Sequence, residues 1–307
     1  MNIVIWIQGL TPQRGGVELL NPAVKILERL YGKVNALGVI PYKGVGFNEV
    51  KNISKEDLKN LDYDLILVTG ADNSVLITNT QSNFVKILKE AQSLEIDTDK
   101  IILDRVICVP FFTLEKYKKL RHSQLSILSM NCFAGLLYHR FGLPFLSPMI
   151  NMFTSDEDFI KFLKAPMKNV SAKLKLLRTE RNEGLKIDYP VYKIGDTEWE
   201  MNHYGDANVA YRKWCERSFR INWFNLLVTM YTEKPEILAE FDKFPYSKKV
   251  CFVPFKSDLD SAYFVDVEKY GGELWQVVNG IGTGKVIEYD MWDMLLYGKK
   301  TPLIFGK

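Results

Sequence analysis

The chain has 307 residues, 47% of them hydrophobic and 25% charged, with a formal net charge of +3. That length suits about two domains of roughly 100–200 residues each. The composition excludes a disordered chain, and the small charge gives no bulk electrostatic case for a nucleic-acid partner. Cys108, Cys132, Cys215 and Cys251 form no CxxC or CxxxC pair, and Asp and His do not cluster at ligand spacing, so no metal is expected. All four cysteines sit in or beside apolar runs, as free buried thiols do, which points to a reduced, cytoplasmic protein. The first residues, MNIVIWIQGL, lack a basic start and a cleavage site. No apolar run reaches the roughly 18–20 residues that span a bilayer, so membrane contact is expected to be peripheral at most.

In chain order, Asn2 to Gln8, Val34 to Pro41 and Leu65 to Thr69 have the β-branched pattern of buried strands, and Lys100 to Val109 is strand-like throughout. Helices are predicted for Val17 to Tyr31, from Ser54, for Asn83 to Gln92 and for Phe112 to Lys119. The alternation predicts a parallel sheet covered on both faces, a Rossmann-like domain over residues 1–121. Its phosphate loop is degenerate. Gly9 to Gly16 reads GLTPQRGG, not GxGxxG, and no acid follows the second strand, where Tyr42 and Lys43 stand. NAD is therefore disfavoured, and the cofactor is left unassigned. Arg14 with the amides of Gly15 and Gly16 offers a weak phosphate contact, against a purely structural turn. Asp72 and Ser74, after the third strand, are either ligand contacts at the sheet edge or helix caps.

Residues 122–307 form a second α/β domain, so that two Rossmann-like three-layer α/β/α subdomains are expected to pack closely. It opens on the richest stretch of the chain, Leu125 to Asn151. A strand (Leu125 to Leu128) meets the polar turn Ser129-Met130-Asn131-Cys132, a helix runs from Phe133 to Phe141, and Gly142 and Pro144 end it. This strand–turn–helix is the geometry that lifts a side chain above the end of a sheet. Helices follow at Asp156 to Leu163, Ala207 to Phe219 (capped by Asp206), Pro235 to Phe244 and Tyr289 to Tyr297, and strands at Glu198 to Met201, Leu226 to Met230 and Lys249 to Phe255. Val170 to Leu177 and Ile187 to Ile194 read as strand-like or irregular, and Gly184 and Pro190 argue against long regular structure there. Gly280 to Lys285, GIGTGK, fails the P-loop spacing and reads as a turn between two strands.

Between about Leu125 and Phe255 the chain resembles a bacterial family of exopolysaccharide-biosynthesis proteins that carries a domain of unknown function. The resemblance rests on Asn131-Cys132, Tyr138, Gly142-Leu143-Pro144-Phe145, Ser147-Pro148, Asn151, Tyr189-Pro190, Gly195-Asp196, His203-Tyr204, Ala210, Trp214, Glu216-Arg217 and Arg220-Ile221-Asn222. It implies a role in capsular or extracellular polysaccharide assembly and supplies no reaction.

Cys132 occupies the position of a nucleophile at a strand-to-helix elbow, with His203 as the base that folding would have to deliver. The preferred alternative is a packed thiol, with Asn131 ordering the turn. Lys213, Arg217 and Arg220 recur at helical spacing and either clamp a phosphate or carboxylate or form a solvated basic face. The expected cleft joins Asn131, Ser147 and Asn151 to His203, Tyr204, Arg217, Arg220 and Asn222 around a nucleotide sugar or another phosphorylated glycan precursor. Two functions are expected to compete: a transferase acting on that sugar, and a non-catalytic binding or regulatory protein of the same pathway.

Overall fold

A computed structural model describes residues 1–8, 19–70 and 83–303 and makes the chain an α/β protein. Gly9 to Gly16, with Arg14, Gly15 and Gly16, and the Asp72–Ser74 segment lie outside the described residues. The chain divides into two compact units. The first takes the described residues up to Lys118 together with His139–Pro144, and the second takes Lys119–Tyr138 and everything described from Phe145 on.

In the first unit, strands β1 (Asn2–Ile7), β2 (Asn35–Ile40), β3 (Leu65–Thr69) and β4 (Ile101–Leu103) form a parallel sheet in the order β2-β1-β3-β4. β3 and β4 are buried at every residue, and β1 at all but its first, as expected of strands covered on both faces. Helices α1 (Leu20–Tyr31), α2 (Asn83–Ser93), α3 (Asp104–Ile107) and α4 (Leu114–His122) accompany them, the last ending in the second unit. The strand-like run from Lys100 to Val109 is in fact β4 followed at once by α3. Asp104 ends the strand: its carboxylate accepts from the Arg105 N–H at 2.6 Å and from the Thr69 hydroxyl at 2.6 Å.

The second unit holds a parallel sheet built from β5 (Ser126–Ser129) and three later strands, and an antiparallel sheet inserted between them. Helix α5 (Phe133–Phe141) follows β5, then α6 (Asp156–Leu163) and α7 (Pro166–Val170). The antiparallel sheet has the order β6-β7-β8, from β6 (Lys175–Asn182), β7 (Ile187–Ile194) and β8 (Thr197–Glu200). Of the two expected readings, strand-like and irregular, the structure shows the first, and its strands are longer than Gly184 and Pro190 implied. Gly184 sits in the hairpin turn between two eight-residue strands. Pro190 is accommodated because β8 pairs only as far as Val191, and the Pro190 carbonyl accepts from Met201 N.

Helix α8 (Ala207–Ser218) then leads to β9 (Leu226–Tyr231), α9 (Pro235–Asp242), β10 (Lys248–Val253) and β11 (Ala262–Phe264), giving the parallel order β11-β10-β9-β5. Asp206 caps α8 through Val209 N at 2.8 Å. Helices α10 (Val267–Tyr270), α11 (Leu274–Thr283) and α12 (Met291–Tyr297) close the chain. The expected turn at Gly280 to Lys285 is instead the end of α11, with Gly284 as its left-handed cap. Leu274, Val277, Val278 and Ile281 recur at helical spacing and are buried, and Glu273 with Gln276 forms a capping box. Gly282 lets α11 pack closely on α5, since a Cβ there would stand 3.0 Å from Phe133 and Leu136 side-chain atoms and push them aside.

β5 is an edge strand, and a side chain completes it. The Tyr138 hydroxyl, from α5, accepts from Ile127 N at 2.9 Å and donates to Leu125 O at 3.2 Å, on the edge away from β9. One phenol thus satisfies a donor and an acceptor that a fifth strand would have paired. On the sheet face that carries Leu128, the core centres on Trp199, whose ring meets Phe162 at 5.3 Å, Trp214 at 6.0 Å and Phe159 at 6.2 Å. Trp199→Ala is expected to destabilise the protein by about 3–5 kcal/mol, through lost transfer energy and the cavity left behind. Urea unfolding followed by circular dichroism measures it.

Candidate functional site

Parallel strands end together, and side chains from several chain positions meet at their carboxyl edge. In the second unit this edge lies beyond Ser129, Tyr231, Val253 and Phe264. Asn131 is its anchor. Its carbonyl oxygen accepts from Ser129 Oγ at 3.0 Å and from Phe133 N at 3.2 Å, capping the start of α5. Its amide nitrogen donates to Asn279 Oδ1, on α11, at 3.3 Å.

Tyr231 ends β9 beside this pair, with its backbone N–H on Met130 Sδ. Burial, reinforced by Asp156, Cys132, Glu273 and Glu233, pushes its phenol up to about 12, so it stays protonated and can donate. The next residues fix the acids. Thr232 Oγ1 donates to Asp156 at 2.6 Å, and Lys234 bonds to Asp156 at 3.2 Å and to Glu157. Hydrogen bonds from this group hold the Glu157 carboxyl down to about 2. Asp156 and Glu157 lie in the first turn of α6, where the helix dipole favours negative charge. Glu273 accepts from the indole N–H of Trp275, a ring that remains 43% exposed. The edge therefore presents two carboxamides, a phenol, carboxylates on three chain segments, one lysine and an indole.

Cys132 follows Asn131 but does not have the chemistry of a nucleophile. Burial pushes its thiol from 9.0 up to about 12, and the thiol donates to Met152 O at 3.9 Å. No hydrogen bond joins it to His203. Burial also lowers the pKa of His203, whose Nδ1 is buried without a partner.

Tyr204 and Arg217 do meet. Arg217 Nη1 donates to the Tyr204 hydroxyl at 2.7 Å, and that hydroxyl donates to Ile150 O at 3.0 Å. The Arg217 guanidinium also stands 5.1 Å from the centre of the Phe145 ring. Arg217 is only 3% exposed, so this is an internal brace on the segment from Phe145 to Asn151 rather than an open clamp. Ser147 belongs to the same segment, buried, with its Oγ accepting from Met149 N at 3.2 Å. Asn151 turns the chain with φ 64°, a left-handed conformation that asparagine tolerates.

The structure does not bring Arg220 and Asn222 to the edge that holds Asn131. Asn222 N donates to Ser126 Oγ at 2.8 Å and its amide to Gln124 O at 3.1 Å, so it sits at the amino end of β5. The five steps from Ser126 to Asn131, at roughly 3.3 Å each, put about 16 Å between the two ends. Arg220, just before Asn222, is exposed. The single expected cleft is thus corrected to three places: the Asn131 edge, the buried Tyr204–Arg217 brace, and the opposite end of the sheet.

Tyr231, Asp156, Glu273, Trp275 and Asn279 were missed in the sequence because they come from β9, α6 and α11, elements far apart along the chain. The available signal was positional, since Tyr231 ends a buried strand and Lys234 lies three residues beyond it. Among the described residues no group of three or more His, Cys, Asp or Glu side chains is placed to hold a metal ion, and no helix is long and apolar enough to cross a membrane.

The second unit is thus an α/β domain with a polar, largely acidic carboxyl edge. The chain belongs to the family described as a domain of unknown function (DUF1919), whose model matches residues 104–297. It is also similar to an uncharacterized protein of Haemophilus influenzae, at 28% identity over 183 residues, covering 57% of this chain and 84% of that one.

Two outcomes follow from the buried groups. Cys132 is expected to resist iodoacetamide in the native protein and react in denaturant, as peptide mass spectrometry would show; rapid native alkylation would restore it as a nucleophile. His203 has a folded pKa below its ordinary 6.5, so the unfolded chain binds more protons in that window. Stability is expected to fall as pH drops through about 6.5. His203→Gln is expected to flatten that part of a melting-temperature profile.

Proposed function

We propose that the protein is a transferase acting on a phosphorylated or nucleotide-linked sugar in exopolysaccharide or capsule biosynthesis, with the sugar held at the carboxyl edge of the second unit. The observation that carries this reading is the Asn131–Asn279 amide pair, set beside the protonated Tyr231 phenol and the half-exposed Trp275 ring. Sugar hydroxyls both donate and accept, so carboxamides and carboxylates suit them together, and an indole face suits the apolar face of a pyranose. Carboxylates outnumber Lys234 here, which favours the sugar over its phosphate at this edge.

The same groups suggest a chemistry. With Cys132 protonated, a covalent thioester has no support. Transfer to an acceptor hydroxyl needs a base, and Asp156 and Glu273, near Tyr231, are the residues to carry it. The exopolysaccharide role comes from the sequence resemblance between Leu125 and Phe255.

A non-catalytic sugar-binding protein of the same pathway is the second reading. It is favoured by Lys234 and Thr232, which occupy both oxygens of Asp156.

Titration calorimetry with uridine- and guanosine-diphosphate sugars tests the site. Asn131→Ala/Asn279→Ala is expected to weaken binding by about 10- to 100-fold, the loss of two or more hydrogen bonds. Binding unchanged in that variant, or equal binding of the nucleotide without its sugar, overturns the assignment. Glu273→Gln separates the two readings: turnover lost with binding kept marks a transferase, and no turnover with any acceptor in the wild type marks a binding protein.

A further inference from the structure

The amino end of the parallel sheet in the second unit has a surface that the proposed function does not use. Phe219, just past α8, is 91% exposed, and Phe224, five residues on, is fully exposed. Large apolar side chains singly at a surface are ordinary, but rings this far from any neighbour in one short loop are not. The loop is rigidly held from beneath. Asn222 Oδ1 accepts from Phe224 N at 3.2 Å, Asn222 Nδ2 donates to Gln124 O, and Asn225 Nδ2 donates to Ser123 O at 2.7 Å. Phe224 is therefore presented by a braced turn.

Cations occupy the same end of the sheet. Arg220 lies between them in sequence and is exposed. Lys248 bonds Asn225 Oδ1 at 2.8 Å, and its own charge is disfavoured by burial and by Lys119 nearby. Lys119 lies 4.6 Å from the centre of the Tyr297 ring and bonds its hydroxyl at 3.2 Å, and Tyr297 is half-exposed. Among the described residues no carboxylate lies within 4.0 Å of the Lys119, Arg220 or Lys248 charge; Glu216, which feels Arg220, is bonded by Lys213.

From this we infer that the amino end of the sheet is a docking surface for an anionic lipid bilayer, with Phe219 and Phe224 inserted below the headgroups and the exposed Lys119 and Arg220 against lipid phosphates. Protruding rings with exposed cations on the same end of the sheet, and an amphipathic tyrosine beside Lys119, match what an anionic interface rewards. A second copy of the chain fits poorly, because a two-fold contact would set these cations against themselves. The surface stands at the other end of β5 from Asn131, so its role is independent of what binds there.

Cosedimentation of the full chain with phosphatidylglycerol–phosphatidylcholine vesicles, and with phosphatidylcholine alone, tests it. Binding is expected to the anionic vesicles and to fall with salt. Phe219→Ser/Phe224→Ser is expected to weaken partition at least about tenfold, and Lys119→Glu/Arg220→Glu to remove the preference for anionic lipid. Both variants are expected to melt as the wild type does, because the altered side chains are exposed. Phe224→Trp is expected to be quenched by brominated acyl chains. No binding to anionic vesicles, or equal binding by the wild type and the serine variant, overturns the inference. So does a dimer that the serine variant abolishes, or release of the vesicles by single-stranded oligonucleotide.

Discussion

The second unit depends on one hydroxyl. Without Tyr138 the outer edge of β5 would carry an unpaired N–H and C=O in a buried setting, each costly to leave unmet. The phenol meets both, and it does so from α5, the helix that β5 launches. Strand, turn and helix are thereby locked into one geometry, and Asn131, at the turn, inherits its position from that lock. The same ring leads outward. Phe145 packs on Tyr138 at 5.8 Å, Arg217 lies over Phe145, Tyr204 bonds Arg217, and Ile150 accepts from Tyr204. A run of aromatic and hydrogen-bonding contacts thus pins the segment beside β5.

The α/β architecture was legible because buried parallel strands and amphipathic helices leave distinct periodicities. β3 is buried at every residue, the acidic first turn marks α6, and the cap Asp206 marks α8. The antiparallel insert was less so, because a proline and a glycine stood where strands form. Neither was an obstacle: one fell in a hairpin turn, and the other where its neighbour strand had stopped. At the carboxyl edge, Asn131 was legible from the strand–turn–helix pattern. Its partners were not, since Asn279 lies 148 positions away and only the fold delivers it.

Arg217 carries a different lesson. Read as a charge, it belonged with Lys213 and Arg220 on an open face. Read by position, it continues the spacing of Ala210 and Trp214, and these three are the buried residues of α8. Periodicity outweighed charge because the guanidinium found a phenol and a ring to replace water. Arg220, three residues on, is past the end of the helix and exposed, so the pair was divided by the helix terminus itself.

The acids beyond β9 and the cations before β5 and β10 give the second unit an electrical direction. Asp156, Glu233 and Glu273 stand where strands end, with Lys234 among them, and Lys119, Lys248 and Arg220 stand where strands begin. A body charged in this manner feels a torque in any external field before it touches anything. A negative surface would turn the amino end toward itself and hold the carboxyl edge away, in bulk water. The modest net charge of the chain conceals this, because opposite charges that cancel in the sum are separated in space.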